Sequence, residues 1–455
     1  MKNKKWFYAL MFILLVSNVS ACALSPEPLP SPLPTVLPTP EPSPTMPHME
    51  ALDPTGCEVH LWHSLSAEKE AVLLAIASEF QISNPYGVRL RIEYHSPLHK
   101  EVWAAIAAGT PPDLVITSCD QVAEYARANA VIPLTEYLDN TPYGLSQEER
   151  EDLWPIALES SCRSTQAEHP LGLFFDAHAV VMFYNATWLK KLKADAPPQT
   201  WEEFRERCNA ARDKKSATWG YAYAADGPVV VNWISSLGEA LIDPRSGEAL
   251  LDSPQAVAAL SVLRDLLQDG CAYCAFDPDT VQADFAAEKV LFAFGSTADL
   301  SQYAQAILNP KTKKLKFTWS IAPVPYLTEE PLVTVQGSML SILRTTPQQQ
   351  LAAWLFLKWF LQRENDVQWA RSCGALPLHK SSLEVPEMKD YLAQSPQYEL
   401  ACQLMAYAQA EPAVPKWQEI RELLVQAATM VCQGKADPAE ALAAADVAAD
   451  NLLAR

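Results

Sequence analysis

The sequence predicts an α/β fold with doubly wound sheets, on two observations. Between residues 58 and 129, three strand-like segments alternate with three helical segments, the order that gives parallel strands joined by helices. Each segment also ends at a turn or stop signal. Because the carboxyl ends of parallel strands meet at one rim of a sheet, we expect a ligand-binding edge formed by the loops at 63–66, 95–99 and 118–121.

The first strand and helix carry the clearest signals. Apolar and polar side chains alternate over residues 58–62, the period of a strand. Ser66 is a suitable N-cap, and residues 67–81 repeat apolar side chains at helical spacing. His63 and Ser64 are therefore expected at the carboxyl end of a strand, beside the unpaired donors of a helix N-terminus.

The next elements repeat this order. Residues 88–94 alternate as a second strand, and the helix around 101–108 ends at Gly109, a typical C′ glycine. Residues 114–117 form the third strand. Asp120 is expected to cap the helix that follows.

Further elements are predicted downstream. The apolar runs 180–184 and 290–294 indicate strands, and residues 348–361 indicate a long helix after a proline. From Pro415 onward the pattern is helical and alanine-rich, with Gly434 as a break.

The amino terminus has the features of an export signal. Three lysines precede the apolar run 6–16, which is too short for a stable spanning helix, so residues 1–21 are predicted to be a signal peptide. Residues 19–22, Val-Ser-Ala-Cys, resemble a bacterial lipobox, in which Cys22 would be the site of lipid attachment. The alternative is a plain secretory signal in which Cys22 is incidental.

A proline-rich tether is predicted over residues 22–55. Residues 25–47 contain ten prolines in twenty-three residues, a composition that favours extended polyproline II. At about 3.1 Å per residue, this segment would form a semi-rigid spacer of roughly 70 Å. The alternative is a ligand for a proline-recognition domain.

The charge of the chain excludes one class of partner. The formal net charge is −19, and removal of the signal peptide deletes three lysines and no acid, which gives −22. An acidic chain without a basic stripe argues against nucleic-acid binding.

The cysteines predict a partly disulfide-bonded, exported protein. With Cys22 assigned to lipid, nine cysteines remain, so at least one is expected to be free. Cys271 and Cys274 form a CxxC pair, but they follow a helix-ending turn and lack a second ligand pair. A structural role is therefore favoured over a redox or zinc role.

Several segments, taken in order from about residue 57 to 453, resemble one family. They include LWHSLSAEKEAVLLAIASEFQISNP, AAIAAGTPPDLVI, VMFYNATWLKK, APPQTWEEFRERC, DFAAEKVLFAFGS, QGSMLSIL, LAAWLFLKWFLQRENDVQWARSCGALP and GKADPAEALAAADVAADNLL. The sequence is similar to the family 1 extracellular solute-binding proteins of ATP-binding-cassette importers. The resemblance implies a two-lobe, periplasmic-binding-protein-like α/β fold with a ligand cleft between the lobes. It places lobe one at 56–170 and 292–372, and lobe two at 176–290 and 377–455.

The resemblance also suggests which residues contact ligand. Trp62 and Trp201 are expected in the core, whereas Trp233 and Trp417 are expected to contact ligand. The ligand-binding positions it implies are His63, Ser64, Cys119, Asp120, Asp176, His178, Asn232, Trp233, Ser296, Gly337, Ser338 and Trp417.

The sequence departs from the receptors of this type that take glycerol 3-phosphate. Those receptors have a tyrosine at the position of Ala375 and an arginine in the segment matching residues 414–416, where only Lys416 is cationic here. Since a phosphate dianion favours a bidentate cationic partner, a phosphorylated ligand is disfavoured.

A binding protein is favoured over an enzyme. The sequence contains no GxSxG, no HExxH and no phosphate-binding glycine loop, although glycoside hydrolase chemistry needs only two carboxylates and stays an alternative. The expected function is capture of a neutral carbohydrate or polyol, without cofactor or metal. The protein is expected to be a monomer, lipid-anchored on the outer face of a bacterial membrane, that delivers its ligand to permease subunits of an importer.

Overall fold

The computed structural model describes residues 49–140, 142–158, 162, 170–275 and 277–454. The predicted signal peptide, Cys22 and the tether up to residue 48 lie outside these residues. Within the predicted tether, Met49–Ala51 form a 3-10 helix, and Met49 and Leu52 are buried. The packed part of the chain therefore begins before residue 56.

The described residues form ten strands and eighteen α-helices. The strands are β1 Glu58–His63, β2 Arg89–Tyr94, β3 Leu114–Ser118, β4 Leu173–Asn185, β5 Trp219–Tyr223, β6 Ala272–Cys274, β7 Val290–Ser296, β8 Trp319–Ala322, β9 Val333–Ile342 and β10 Ala408–Ala410. The helices are α1 Ala67–Ser83, α2 Leu98–Ala108, α3 Cys119–Arg127, α4 Thr135–Asp139, α5 Gln147–Asp152, α6 Pro155–Leu158, α7 Ala186–Lys191, α8 Trp201–Ala211, α9 Gly227–Ser235, α10 Pro254–Asp269, α11 Pro278–Ala286, α12 Leu300–Ile307, α13 Pro347–Phe360, α14 Arg363–Cys373, α15 Pro386–Gln394, α16 Pro396–Leu404, α17 Trp417–Cys432 and α18 Pro438–Leu453.

The first part of the sheet has the order β2-β1-β3-β9-β4. The predicted alternation is confirmed here, because β1 pairs in parallel with both β2 and β3. β9 runs antiparallel to β3 and β4, so the sheet is mixed at the side where the chain crosses to its second part.

The helix ends follow their local signals, with one exception. The Ser66 side chain accepts a hydrogen bond from the Lys69 amide, and Gly109 ends α2 with a positive φ of 73°. Asp120, however, is not the cap of α3. Strand β3 runs to Ser118 and the helix begins at once with Cys119, so Ser118 is the N-cap and Asp120 lies in the first turn.

The second part of the sheet is built on the carboxyl half of β4. This half pairs with β7 and β8, and β7 pairs with β5, which pairs with β6. Phe292 and Phe294 of β7 pack in the core of this part. The sequence interpretation assigned the chain from residue 292 onward to lobe one, whereas β7 and β8 pair with the carboxyl half of β4, and the next strand to pair with β3 is β9.

The crossing of β4 and β9 needs glycine at one position. Gly337 lies opposite Ala177, and a Cβ atom on it would be 1.5 Å from the Asp176 carbonyl oxygen. The register of β4 also shifts between Phe174 and Asp176. This close approach brings the polar residues of β4 next to those of β9.

Two disulfides join distant segments of the described chain, Cys119–Cys162 and Cys274–Cys432. The free cysteines are Cys57, Cys208, Cys271, Cys373 and Cys402. The CxxC cysteines are thus not paired with each other. No helix within the described residues has both the length and the apolar character needed to cross a membrane.

Candidate ligand-binding site

A cavity of about 250 Å³ lies where β3 ends and β4 crosses β9. Its residues come from the β3–α3 junction, from β4 and β9, and from the segment between β10 and α17. They are Ser118, Cys119, Asp120, Cys162, Phe174, His178, Val335, Gln336, Gly337, Met339, Ala410, Glu411, Pro412, Trp417 and Arg421. Widely separated parts of the sequence therefore meet in one concave site.

An acid shared by a tryptophan and an arginine forms one wall. The Glu411 Oε2 atom accepts a hydrogen bond from Trp417 Nε1 at 2.7 Å and from Arg421 Nη1 at 2.9 Å. Burial raises the pKa of Glu411, although the Arg421 charge opposes this shift. The other oxygen, Oε1, is buried and has no hydrogen-bond partner among the described residues.

A buried ion pair orients the histidine of the cavity. His178 Nε2 lies 3.2 Å from Asp176 Oδ1, and Lys69 Nζ donates to Asp176 Oδ2. Burial opposes ionisation of Asp176, but the neighbouring His178 and the Lys69 charge outweigh it and lower the pKa of Asp176 to about 2. The other ring nitrogen of His178, Nδ1, is buried without a hydrogen-bond partner in the described part of the chain. A histidine ring nitrogen donates or accepts a hydrogen bond according to its tautomer.

Two buried atoms of the lining residues, Glu411 Oε1 and His178 Nδ1, therefore have no hydrogen-bond partner within the described part of the chain. A buried polar atom costs free energy, on the order of 1–3 kcal/mol, unless it is hydrogen-bonded. Hydroxyl groups, which can both donate and accept a hydrogen bond, would satisfy both atoms. Within the described residues, no group of three or more His, Cys, Asp and Glu side chains is arranged to hold a metal ion.

Two more carboxylates act on this region electrostatically. Burial raises the pKa of Asp226 and of Asp299. Asp226 accepts a hydrogen bond from the Val229 amide and caps α9, whereas Asp299 accepts from the Ser296 amide in the capping box of a short 3-10 helix. The charges of Arg421 and His178 oppose these increases in the pKa of Asp226 and of Asp299, respectively, but are smaller than the effect of burial. The two acids therefore belong to the same charged region.

The structure brings together about half of the positions that were expected to contact ligand. The positions that line the cavity are Cys119, Asp120, His178, Gly337 and Trp417. Asp176 and Ser338 lie directly beside it, because they pair with each other across β4 and β9, and Ser338 also pairs with Ser118.

Trp233, which was expected to contact ligand, lies in the protein core and does not line this cavity. Trp233 is 1% exposed and stacks on Trp201, with ring centroids 4.8 Å apart, in the core of the second part. Asn232 is also buried, and its side chain donates to the Leu332 carbonyl at 3.2 Å. Since α9 packs this face against the sheet, neither residue lines the cavity. Trp201 is in the core as expected, whereas Trp62 is half-buried and stacks on His95.

Three further positions are placed away from the cavity. His63 is fully buried, and its Nδ1 accepts from the Leu65 amide at 3.2 Å. Ser64 is exposed in the loop after β1. Ser296 caps a short 3-10 helix, where its hydroxyl accepts from the Ala298 amide at 3.1 Å.

The sequence interpretation missed three charged residues of this region. Lys69 lies in the first turn of α1, where helix pattern alone gives no reason to pair it with β4. Glu411 follows the three-residue strand β10, which has no clear sequence signal. Arg421 had a usable signal, because it follows Trp417 by four positions and so lies on the same face of α17.

Comparison with known proteins supports this description of the fold. Residues 75–396 match the family described as bacterial extracellular solute-binding protein. The maltotriose-binding protein of Pyrococcus abyssi (strain GE5 / Orsay) is 26% identical over 345 residues, which cover 73% of this chain and 69% of that protein.

Solved structures share the two-lobe fold. The cyclic alpha-maltosyl-1,6-maltose binding protein from Arthrobacter globiformis matches with a TM-score of 0.73 and 20% identity, covering 87% of this chain and 98% of that chain. The sugar-binding protein MalE from Xanthomonas citri gives a TM-score of 0.75 and 17% identity, with 87% and 97% covered. Since the family match extends over more than half of the sequence, this chain belongs to the bacterial extracellular solute-binding proteins, which bind solutes and are not enzymes.

Proposed function

We propose that the cavity captures a neutral carbohydrate or polyol, which the protein delivers to the permease subunits of an ATP-binding-cassette importer. The observation that carries the proposal is the pair of buried, unpartnered polar atoms at the cavity, Glu411 Oε1 and His178 Nδ1. Hydroxyl groups, which can both donate and accept, would satisfy both atoms. The maltotriose-binding and maltose-type receptors among the relatives are consistent with this ligand class.

The aromatic and apolar lining supports the same ligand class. Trp417 offers an indole beside the acids, and sugar rings stack their C–H faces on such surfaces. Val335 and Met339 of β9 add apolar surface. Alternating polar and apolar contacts suit a molecule with hydroxyl edges and C–H faces.

A phosphorylated polyol is the second candidate, and Arg421 is the observation in its favour. Arginine binds phosphate in a bidentate manner. Among the described residues that line the cavity, Arg421 is the only Lys or Arg, and its guanidinium already bonds Glu411 and Gln418. Lys416 is paired with Glu124 at 3.0 Å. A phosphate would have to displace Glu411 from Arg421 or Glu124 from Lys416, so the neutral ligand is favoured.

The test is calorimetry with a panel of sugars and polyols, including maltose, maltotriose and ribitol, against glycerol 3-phosphate. We expect at least one neutral compound to bind and to be recovered unchanged. Tighter binding of glycerol 3-phosphate than of every neutral compound would favour the phosphorylated candidate instead. Chemical conversion of a bound sugar would contradict a receptor function.

We also propose that Cys22 carries a lipid that holds the mature protein on the outer face of a bacterial membrane, with the proline-rich segment as its tether. Acylation needs the Cys22 thiol, so Cys22→Ser should release the protein from membranes or leave the signal peptide uncleaved. Detergent partitioning and the mass of the N-terminal peptide measure this. A wild-type mature chain without lipid would contradict the anchor.

A further inference from the structure

A disulfide forms part of the wall of the ligand cavity. Cys119 and Cys162 both line the cavity, and their sulfur atoms are bonded to each other. Cys119 is the first residue of α3, directly before Asp120, and Cys162 is only 1% exposed. The carbonyl of Cys162 accepts a hydrogen bond from the Leu171 amide at 3.3 Å, just ahead of β4. The crosslink therefore fixes two backbone segments at the cavity.

The rest of the lining gives little room to enlarge the site. Phe174, Val335 and Met339 are almost fully buried and belong to the central strands of the sheet. Gly337 has no space for even a Cβ atom. Core side chains of this kind are close-packed and do not move aside at low cost.

The cavity is small for an oligosaccharide. Its volume of about 250 Å³ is below the range of roughly 300–1,000 Å³ that is typical of sites for drug-sized ligands. A single sugar ring or an acyclic polyol has fewer atoms than such ligands, whereas a chain of three rings has more.

We infer that the Cys119–Cys162 disulfide is a specificity-determining part of the wall, which limits the site to one sugar ring or a short polyol. This inference rests on the proposed carbohydrate or polyol function. A rotatable side chain can swing out of the path of a longer ligand, but the crosslink prevents either sulfur from doing so without movement of α3 or of the backbone at Cys162. No other covalent crosslink lines the cavity in the described residues.

The test compares the wild-type protein with the double variant Cys119→Ala/Cys162→Ala, which removes both sulfur atoms and the crosslink. The matched control is Cys274→Ala/Cys432→Ala, which removes the disulfide between β6 and α17. Calorimetry measures binding of glucose, ribitol, maltose and maltotriose to all three proteins, and thermal unfolding confirms that each is folded. A Cys119→Ser/Cys162→Ser variant provides a second crosslink-free protein if the alanine variant does not fold.

We expect the wild-type and control proteins to bind glucose or ribitol more tightly than maltotriose. In the crosslink-free variant, the ratio of maltotriose affinity to monosaccharide or polyol affinity should rise by about tenfold or more, which equals about 1.4 kcal/mol. A wild-type preference for maltotriose, or an unchanged ratio in the folded variant, would overturn the inference while leaving the carbohydrate function intact. If none of the four compounds binds to any of the proteins, both the inference and the proposed function are overturned.

Discussion

At the scale of single residues, the site is organised by pairs of charges that leave specific atoms free. Glu411 uses one oxygen for Trp417 and Arg421, and its other oxygen has no partner among the described residues. One ring nitrogen of His178 lies 3.2 Å from Asp176, and the other has no partner in the same part of the chain. If ligand binds here as proposed, both atoms are positioned before it arrives, which lowers the entropic cost of binding.

The contribution of Trp417 is the first prediction. Trp417→Ala should weaken sugar binding by about 1–3 kcal/mol, because the stacking surface is lost and Glu411 loses a donor. Titration calorimetry with the best neutral ligand measures the change. Trp219→Ala is the control, since this half-buried tryptophan packs on Tyr273 and is not a lining residue. Equal affinities of the Trp417→Ala variant and the wild type would contradict the placement of the site.

The ion pair of Asp176 leads to a pH-dependent prediction. The pKa of Asp176 is about 2 in the folded protein, below the usual value near 3.9 for an unfolded chain. The pair therefore stabilises the fold fully above about pH 4, and this contribution is lost as the pH falls through about 2. Asp176→Asn should lower the free energy of unfolding by about 1–3 kcal/mol at pH 7.

Urea unfolding at several pH values measures this difference. It should shrink between pH 4 and pH 2, because the Asp176 carboxylate of the unfolded chain becomes protonated there, whereas that of the folded protein stays largely ionised until about pH 2. Glu151→Gln, at an exposed position, is the control and should change stability little at either pH. A destabilisation by Asp176→Asn that stays constant down to pH 2 would show that shape, not charge, is responsible.

At the scale of elements, the sequence predicted the features that depend on neighbouring residues, such as strand alternation and helix ends. The alternation of β1, the N-cap Ser66 and the C′ glycine Gly109 each depend on a few neighbouring residues, and the structure confirms them. Strand β2 is present, but its burial alternates only in part, because Tyr94 at its end is exposed. The length of β4 was not predicted, since its thirteen residues are almost all buried and so show no alternation. The burial of Trp233 was also missed, because it depends on tertiary packing such as the stack with Trp201, which the local sequence does not reveal.

The crossing of β4 and β9 gives a prediction at this scale. Gly337→Ala should destabilise the fold by about 2 kcal/mol or more, because the new Cβ would overlap the Asp176 carbonyl and force the strands apart. Gly227→Ala is the matched control, since its Cβ would meet neighbours at ordinary contact distances of 3.5 Å and more. Thermal unfolding compares the two variants. Similar melting temperatures for both would contradict the tight crossing.

At the scale of the whole molecule, the site joins two parts of the chain. Asp120 enters from the β3–α3 junction of the first part, whereas Trp417 and Arg421 enter on α17, which packs on α9 and α18 in the second part. Residues of β4, of β9 and of the segment after β10 line the cavity between these two sides. Ligand that contacts both walls therefore couples the two parts energetically.

This coupling predicts that ligand brings the two lobes together. A ligand can shift the balance between open and closed forms only by contacts that the closed form adds, and here those are contacts made to Asp120 and Trp417 at the same time. Small-angle X-ray scattering of the mature protein should show a smaller radius of gyration once the best neutral sugar is at saturation. Trp417→Ala, which keeps only one wall intact, should show a weaker contraction at a saturating sugar concentration. If the radius stays unchanged while calorimetry confirms full occupancy, ligand does not close the lobes, and the two walls already have their final separation in the free protein.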